Sequence, residues 1–157
     1  MERVARVVAI EDETGKEQMD LFRSSLIREA QIKHKAKVRY VFFQKALEYL
    51  SLVEKQHLDG LKTVLTIEIN GKEHSHEFEL VKLLKKQPIY ELRVDYGGAH
   101  IRATFFPKFY QGTLYYCFVK GFIKTRFPPF NPTNDMRDLT YDMFKKVNAS
   151  PNTYLQS

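Results

Sequence analysis

The chain carries one cysteine, Cys117, and no tryptophan in 157 residues. A single thiol excludes an internal disulfide and fits a reducing compartment. Cys117 falls within an apolar strand pattern, where a thiol is a packing group rather than a nucleophile. No apolar run approaches the ~20 residues that span a bilayer, and the charged N-terminus is unlike a signal peptide. No repeat and no low-complexity tract is present. These absences set the expectation of a cytoplasmic protein without a membrane anchor.

Acid is scarce where it matters most. Residues 82–126 hold nine basic and only two acidic side chains, a net charge of +7. Residues 1–81 hold 13 basic and 14 acidic, and residues 127–157 three of each, so the whole excess of +6 lies in one segment. A basic cluster on one element is the footprint of a polyanionic partner, although a solvated basic surface produces the same count.

What the chain has in quantity is core material. Hydrophobic residues make up 43%, with twelve Phe and nine Tyr, enough for one domain over residues 1–157. Arg3–Ile10 reads as a first strand. Thr14 to Glu17 fits a capping box ahead of a helix. Met19, Phe22, Leu26, Ile27 and Ala30 then recur at helical spacing, and so do Val38, Val41, Phe42, Ala46, Tyr49, Leu50 and Val53. Lys33-His34-Lys35 divides the two stripes into antiparallel helices or bends one long helix, and Gly60 is placed to end the second.

Asn70-Gly71 marks a small β-hairpin over residues 61–80, and Lys82–Gln87 reads as a basic linker. An antiparallel meander follows, with strands at Tyr90–Tyr96, Ala99–Phe106 and Thr113–Lys120 and an irregular extension over Phe122–Thr125. Pro128, Pro129 and Pro132 break regular structure before a short C-terminal helix at Asn134–Val147. Residues 149–157 read as a loose tail. The fold class is α+β: two N-terminal helices on an antiparallel sheet.

The hairpin YELRVDYGGAHIRATFF, residues 90–106, is the most informative stretch. Gly97-Gly98 makes a two-residue turn, because such turns require positive φ. That turn pairs Asp95 with His100, Val94 with Ile101, Arg93 with Arg102, Leu92 with Ala103 and Glu91 with Thr104. Alternation then separates an apolar face from a polar one. Like charges directly opposite are destabilising, so Arg93 against Arg102 points to an anion between them, such as a nucleic-acid phosphate. The alternative is that both pair with Glu91 and Asp95 on a solvated face.

Lys120 and Lys124 flank the end of the last strand as further phosphate contacts, and His100 opposite Asp95 has the character of a proton-transfer group. Tyr110, Tyr115 and Tyr116 suit base stacking or, more simply, packing on the helices. His74 and His76 alternate on the small hairpin with no cysteine or third histidine nearby in sequence, short of a metal-ligand set. No cofactor is expected.

The run Tyr90-Glu91-Leu92-Arg93-Val94, then Ile101-Arg102, then Gly121-Phe122-Ile123-Lys124-Thr125 with prolines following, resembles the RelE/HigB-type bacterial toxins of the RelE/ParE superfamily. It is most similar to the phage Gp49-like branch. The order of strand, two helices and C-terminal helix agrees over nearly the whole chain.

The resemblance implies a toxin of a type II toxin–antitoxin pair: a ribosome-dependent, metal-independent mRNA endonuclease in which the RNA 2′-hydroxyl attacks the adjacent phosphate. Carried over by position, Arg93, Arg102 and Lys124 would serve the scissile phosphate; His100 would assist on the strength of its place opposite Asp95 rather than of the resemblance. Lys120, added from its proximity in sequence rather than from the resemblance, would contact RNA together with Lys82, Lys85, Lys86 and Arg126, and Tyr141 or Arg137 would supply a C-terminal acid or base. The implied partners are an antitoxin, expected to be a small helix-turn-helix protein, together with the ribosome and mRNA.

Two features depart from the family pattern: Lys124 is followed by Thr125 rather than a second basic residue, and the hairpin at 61–80 is an insertion. The family also includes gyrase-binding toxins without catalysis. A third possibility is a phage-derived nucleic-acid-binding accessory protein without turnover.

Overall fold

The computed structural model describes residues 2–11, 18–85, 88–124 and 133–155. Among these described residues seven strands and four helices follow in the order β1 (Arg6–Ala9), α1 (Gln18–Ala30), α2 (His34–Leu50), β2 (Lys62–Ile69), β3 (Lys72–Glu79), β4 (Val81–Leu83), β5 (Tyr90–Tyr96), β6 (Ala99–Tyr110), β7 (Thr113–Lys124), α3 (Thr133–Ala149) and α4 (Pro151–Tyr154). A 3-10 turn, Lys55–His57, lies between α2 and β2. The capping box at Thr14–Glu17 lies outside the described residues, as does the proline segment after Lys124. Among the described residues no helix is long and apolar enough to cross a membrane.

Five strands form one sheet in the order β1-β7-β6-β5-β4, while β2 and β3 make a separate hairpin. The sheet is not wholly antiparallel, because β1 lies parallel to β7. The long connection through α1, α2 and the hairpin makes that direction possible. The first strand is also shorter than Arg3–Ile10, and Val4 and Ala5 instead donate backbone N–H groups to the Ser51 carbonyl.

The meander register matches the sequence expectation at all five named pairs, from Asp95↔His100 to Glu91↔Thr104. Gly97 and Gly98 hold φ of +66° and +83°, as the turn demands. From the far side Arg39 of α2 fixes this turn, donating Nε to the Tyr96 carbonyl at 2.7 Å and a second N–H to that of Gly97 at 3.2 Å.

Both sheet faces are covered. Helices α1 and α2 bury Phe22, Leu26, Phe42, Phe43 and Ala46 against Leu92, Ile101, Phe105 and Phe118. On the opposite face Met143, Val147 and Leu155 pack on Phe106, Cys117 and Val119. Val119 shares the face of Cys117 by alternation, and the bulge between Thr104 and Phe105, which leaves Val119 without a register partner, brings Lys120 opposite Thr104 on that same face. Cys117 is fully buried there, and burial pushes its thiol up to about 12.

Several boundaries differ from the sequence reading. The second helix stops at Leu50 rather than near Gly60. Ser51 caps it, its hydroxyl donating to the Glu48 carbonyl, and the Tyr116 hydroxyl donates to the Val53 carbonyl just beyond. Of the stretch Lys82–Gln87 read as a linker, Lys82 and Leu83 belong to strand β4, which pairs with β5. Phe122–Lys124 continues β7 instead of forming an irregular extension.

The C-terminal helix spans 17 residues and is not short. The tail is not loose as far as Leu155, which follows α4 and is 3% exposed in the second cluster. The hairpin β2–β3 stands outside the five-stranded sheet, its ends joined by the Leu80 N–H to the Leu61 carbonyl. It nevertheless buries Leu65, Ile67, Ile69 and Phe78 in the first cluster.

Candidate functional site

The polar side of the meander forms a grid on the face that α3 partly covers. Strand alternation and the observed register place Lys82, Glu91, Thr104 and Lys120 in one cross-strand row. The next row is Arg93, Arg102 and Phe122, and the third, toward the turn, is Asp95, His100 and Lys124. Helix α3 meets the first row where the Thr104 and Thr140 hydroxyls bond at 2.7 Å; Thr140 also donates to the Met136 carbonyl in its own helix.

The two arginines share a face but not an environment. Arg102 is 6% exposed, and its guanidinium donates to Asp95 Oδ1 at 2.5 Å and to the Ile101 carbonyl at 3.0 Å. Its Nε lies 3.6 Å from Glu91 Oε1. Arg93 keeps 27% of its side chain exposed, with Nε 3.7 Å from the same oxygen and no hydrogen bond. One carboxylate oxygen is therefore shared between two guanidinium groups, which offsets the repulsion expected of the bare pair.

Glu91 is the unusual member. It is 4% exposed, and its Oε2 has no hydrogen-bond partner. Burial raises its carboxyl above the ordinary glutamate range despite the opposing pull of Arg102, Arg93, Lys82 and Lys124. Asp95 moves the other way. Burial alone would raise it, but the hydrogen bond and charge of Arg102, followed by His100, bring it below the usual aspartate range. His100 Nδ1 is 2.9 Å from Asp95 Oδ1, a charge contact that is not lined up as a hydrogen bond.

The remaining sequence candidates fall around this grid. Lys124 is the cross-strand neighbour of His100 and Lys120 that of Thr104, both half-buried at the β7 side. Lys82 is exposed on β4 opposite Glu91, and Lys85 is exposed beyond that strand. Lys86 and Arg126 lie outside the described residues.

On α3, Tyr141 follows Thr140 directly and stacks near Phe144, with Lys145 Nζ 5.1 Å from its ring centre. Arg137, one turn earlier, has its Nε 3.2 Å from Asp138. Of the three tyrosines considered for base stacking, Tyr115 and Tyr116 are buried in the two cores, and Tyr110 packs at the edge of the second. The hairpin histidines gain a neighbour that the sequence hid: the His34 ring, at the start of α2, is 6.5 Å from that of His74. Among the described residues no group of three metal-ligating side chains comes together.

Reasoning from sequence paired the right strands but missed Glu91 as a buried group, Phe122 as part of the Arg row, and the Thr104–Thr140 contact. The hairpin register already held the first, since Glu91 flanks both arginines on one face. The last two depend on the bulge and on how α3 docks, which no local pattern carries. Comparisons with protein-family models, with curated proteins and with solved structures found no match for this chain.

Proposed function

We propose that the chain is an RNA-directed toxin of the RelE/HigB type, acting with a cognate antitoxin and cutting mRNA on the ribosome without a metal. The observation that carries this reading is the three-row grid. It sets five permanent cations, Lys82, Arg93, Arg102, Lys120 and Lys124, against two acids on a single sheet face. Such a face suits a backbone phosphate, and charge placed in advance at the scissile group is the largest lever in phosphoryl transfer.

The roles follow exposure. Arg93, Lys120 and Lys124 meet phosphate oxygens, while Arg102, held by Asp95 and Glu91, acts as a fixed positive charge beneath them rather than as half of a clamp. His100, next to Lys124 and supported by Asp95, moves the proton. The 2′-hydroxyl attacks phosphorus, the P–O5′ bond breaks, and the fragments carry a 2′,3′-cyclic phosphate and a 5′-hydroxyl.

A second reading, a nucleic-acid-binding module without turnover, is favoured by one specific observation: the Arg102 guanidinium is already occupied by the protein's own acids. Induction in a bacterium, followed by mapping of mRNA 5′ ends, separates the two. New codon-phased 5′-hydroxyl ends, absent in the Arg93→Ala/Lys124→Ala variant, are the expected result. An unchanged mRNA profile with retained RNA binding leaves the binding module, and DNA damage in place of mRNA cuts would indicate action on gyrase.

A further inference from the structure

The β1 edge of the sheet carries a second basic feature: its Arg6 pairs with Tyr115 near the start of β7, whereas the grid lies toward that strand's end. Among the described residues strand β1 is the outermost strand, and β7 is its only partner in the sheet. In a parallel ladder only alternate residues turn their backbone groups toward the neighbour. The Ile10 N–H donates to the Phe118 carbonyl, so Val8 and Arg6 share its inward orientation. Val7 and Ala9 therefore direct their N–H and C=O groups to the open side, where no backbone partner is found among the described residues.

A groove of about 520 Å³ runs along this edge, bordered by Arg3, Arg6, Arg23 and Glu48 and floored by Ala5 and Val7. The three arginines are exposed, and none has an acidic partner among the described residues. The one acid of the border, Glu48, already faces Lys45 at 4.0 Å. The positive charge flanks both sides of the strand. Arg6 shares the sheet face of Val8, which packs in the α3 cluster, whereas Arg23 belongs to α1 on the face where Val7 packs.

We propose that this edge takes an extended acidic segment of a partner protein as a sixth strand. Backbone pairing to Val7 and Ala9 would supply the alignment. Acidic side chains alternating to the two faces would meet Arg6 on one side and Arg3 with Arg23 on the other. A second copy of this chain is a poor occupant, because two such edges would oppose arginine to arginine.

The test uses the full-length protein and a fluorescent ten-residue peptide built on a Glu-Glu-Val-Val repeat, which turns acids to both faces of a strand, with a Lys-for-Glu counterpart. Anisotropy reports binding, and amide hydrogen exchange reports where it occurs. The acidic peptide alone should bind, weakening with salt, and exchange at Val7 and Ala9 should slow. The Arg3→Glu/Arg6→Glu/Arg23→Glu variant should lose about tenfold or more in affinity with its circular dichroism unchanged. The Arg93→Ala/Lys124→Ala variant should bind as the parent does, which keeps this result separate from the fate of the RNA-directed reading. Should the triple variant misfold, Arg23→Glu alone, on the surface of α1, carries the affinity test. Failure of the acidic peptide to bind, binding without protection at Val7 and Ala9, or equal binding by the arginine variant overturns the proposal.

Discussion

At the scale of single residues, the decisive contrast is between Arg93 and Arg102. They are opposite each other in register, yet one is buried against two acids and the other is partly free. Removing a buried, paired charge strands its partners, so Arg102→Ala should lower stability by about 3–5 kcal/mol. Arg93→Ala should change stability by less than about 1 kcal/mol. Urea unfolding of the two variants checks this ordering.

Glu91 gives a pH-dependent counterpart. Its raised carboxyl binds a proton more tightly in the folded state, so its stabilising contribution is present below the ordinary glutamate range and fades as pH rises through the folded value. Asp95, held low, has the opposite sign: its contribution is present above the ordinary aspartate range and is lost as pH falls through the lowered value. Glu91→Gln removes only the first effect. The stability of the parent relative to this variant should therefore decline as pH rises above the ordinary glutamate range, as followed by urea midpoints. The pairing of these residues was legible in the hairpin sequence. Their burial was not, because it depends on what the rest of the chain lays over that face.

At the scale of elements, α1 is seated on β7 through one close approach. A methyl group on Gly121 would overlap the Phe22 ring, which itself packs edge-on against Phe43 at 6.1 Å. Gly121→Ala should cost about 1–3 kcal/mol, through a displaced ring rather than through backbone strain. In a Phe22→Ala background the same substitution should cost markedly less, a coupling that a double-mutant cycle of denaturation measures.

The strand pairs were readable because Gly97-Gly98 and Asn70-Gly71 fix hairpin register locally, and both turns hold positive φ. The end of α2 was not readable. The apolar spacing runs on to Val53, and what stops the helix is the Ser51 cap and the hydroxyl of Tyr116, a residue 63 positions away from Val53. The direction of β1 was hidden for the same reason, since a strand's periodicity carries no sign of its partner's orientation.

At the scale of the whole molecule, five of the nine basic side chains of residues 82–126 gather in the grid on one sheet face, and two hydrophobic clusters hold that face between the helical layers. Packing backs the grid: β5, β6 and β7 are buried on the α1–α2 side, and α3 closes part of the other through Thr140. The account's central claim is that this face binds RNA through its phosphates.

Affinity for a single-stranded RNA oligonucleotide, measured across a salt series for the parent and for Arg93→Ala/Lys120→Ala/Lys124→Ala, tests it most directly. Each lost phosphate contact on a single strand should flatten the log–log salt dependence by about 0.7, so the triple variant should bind more weakly with a slope reduced by about 2. Equal affinity and an equal slope in the two proteins would contradict the claim.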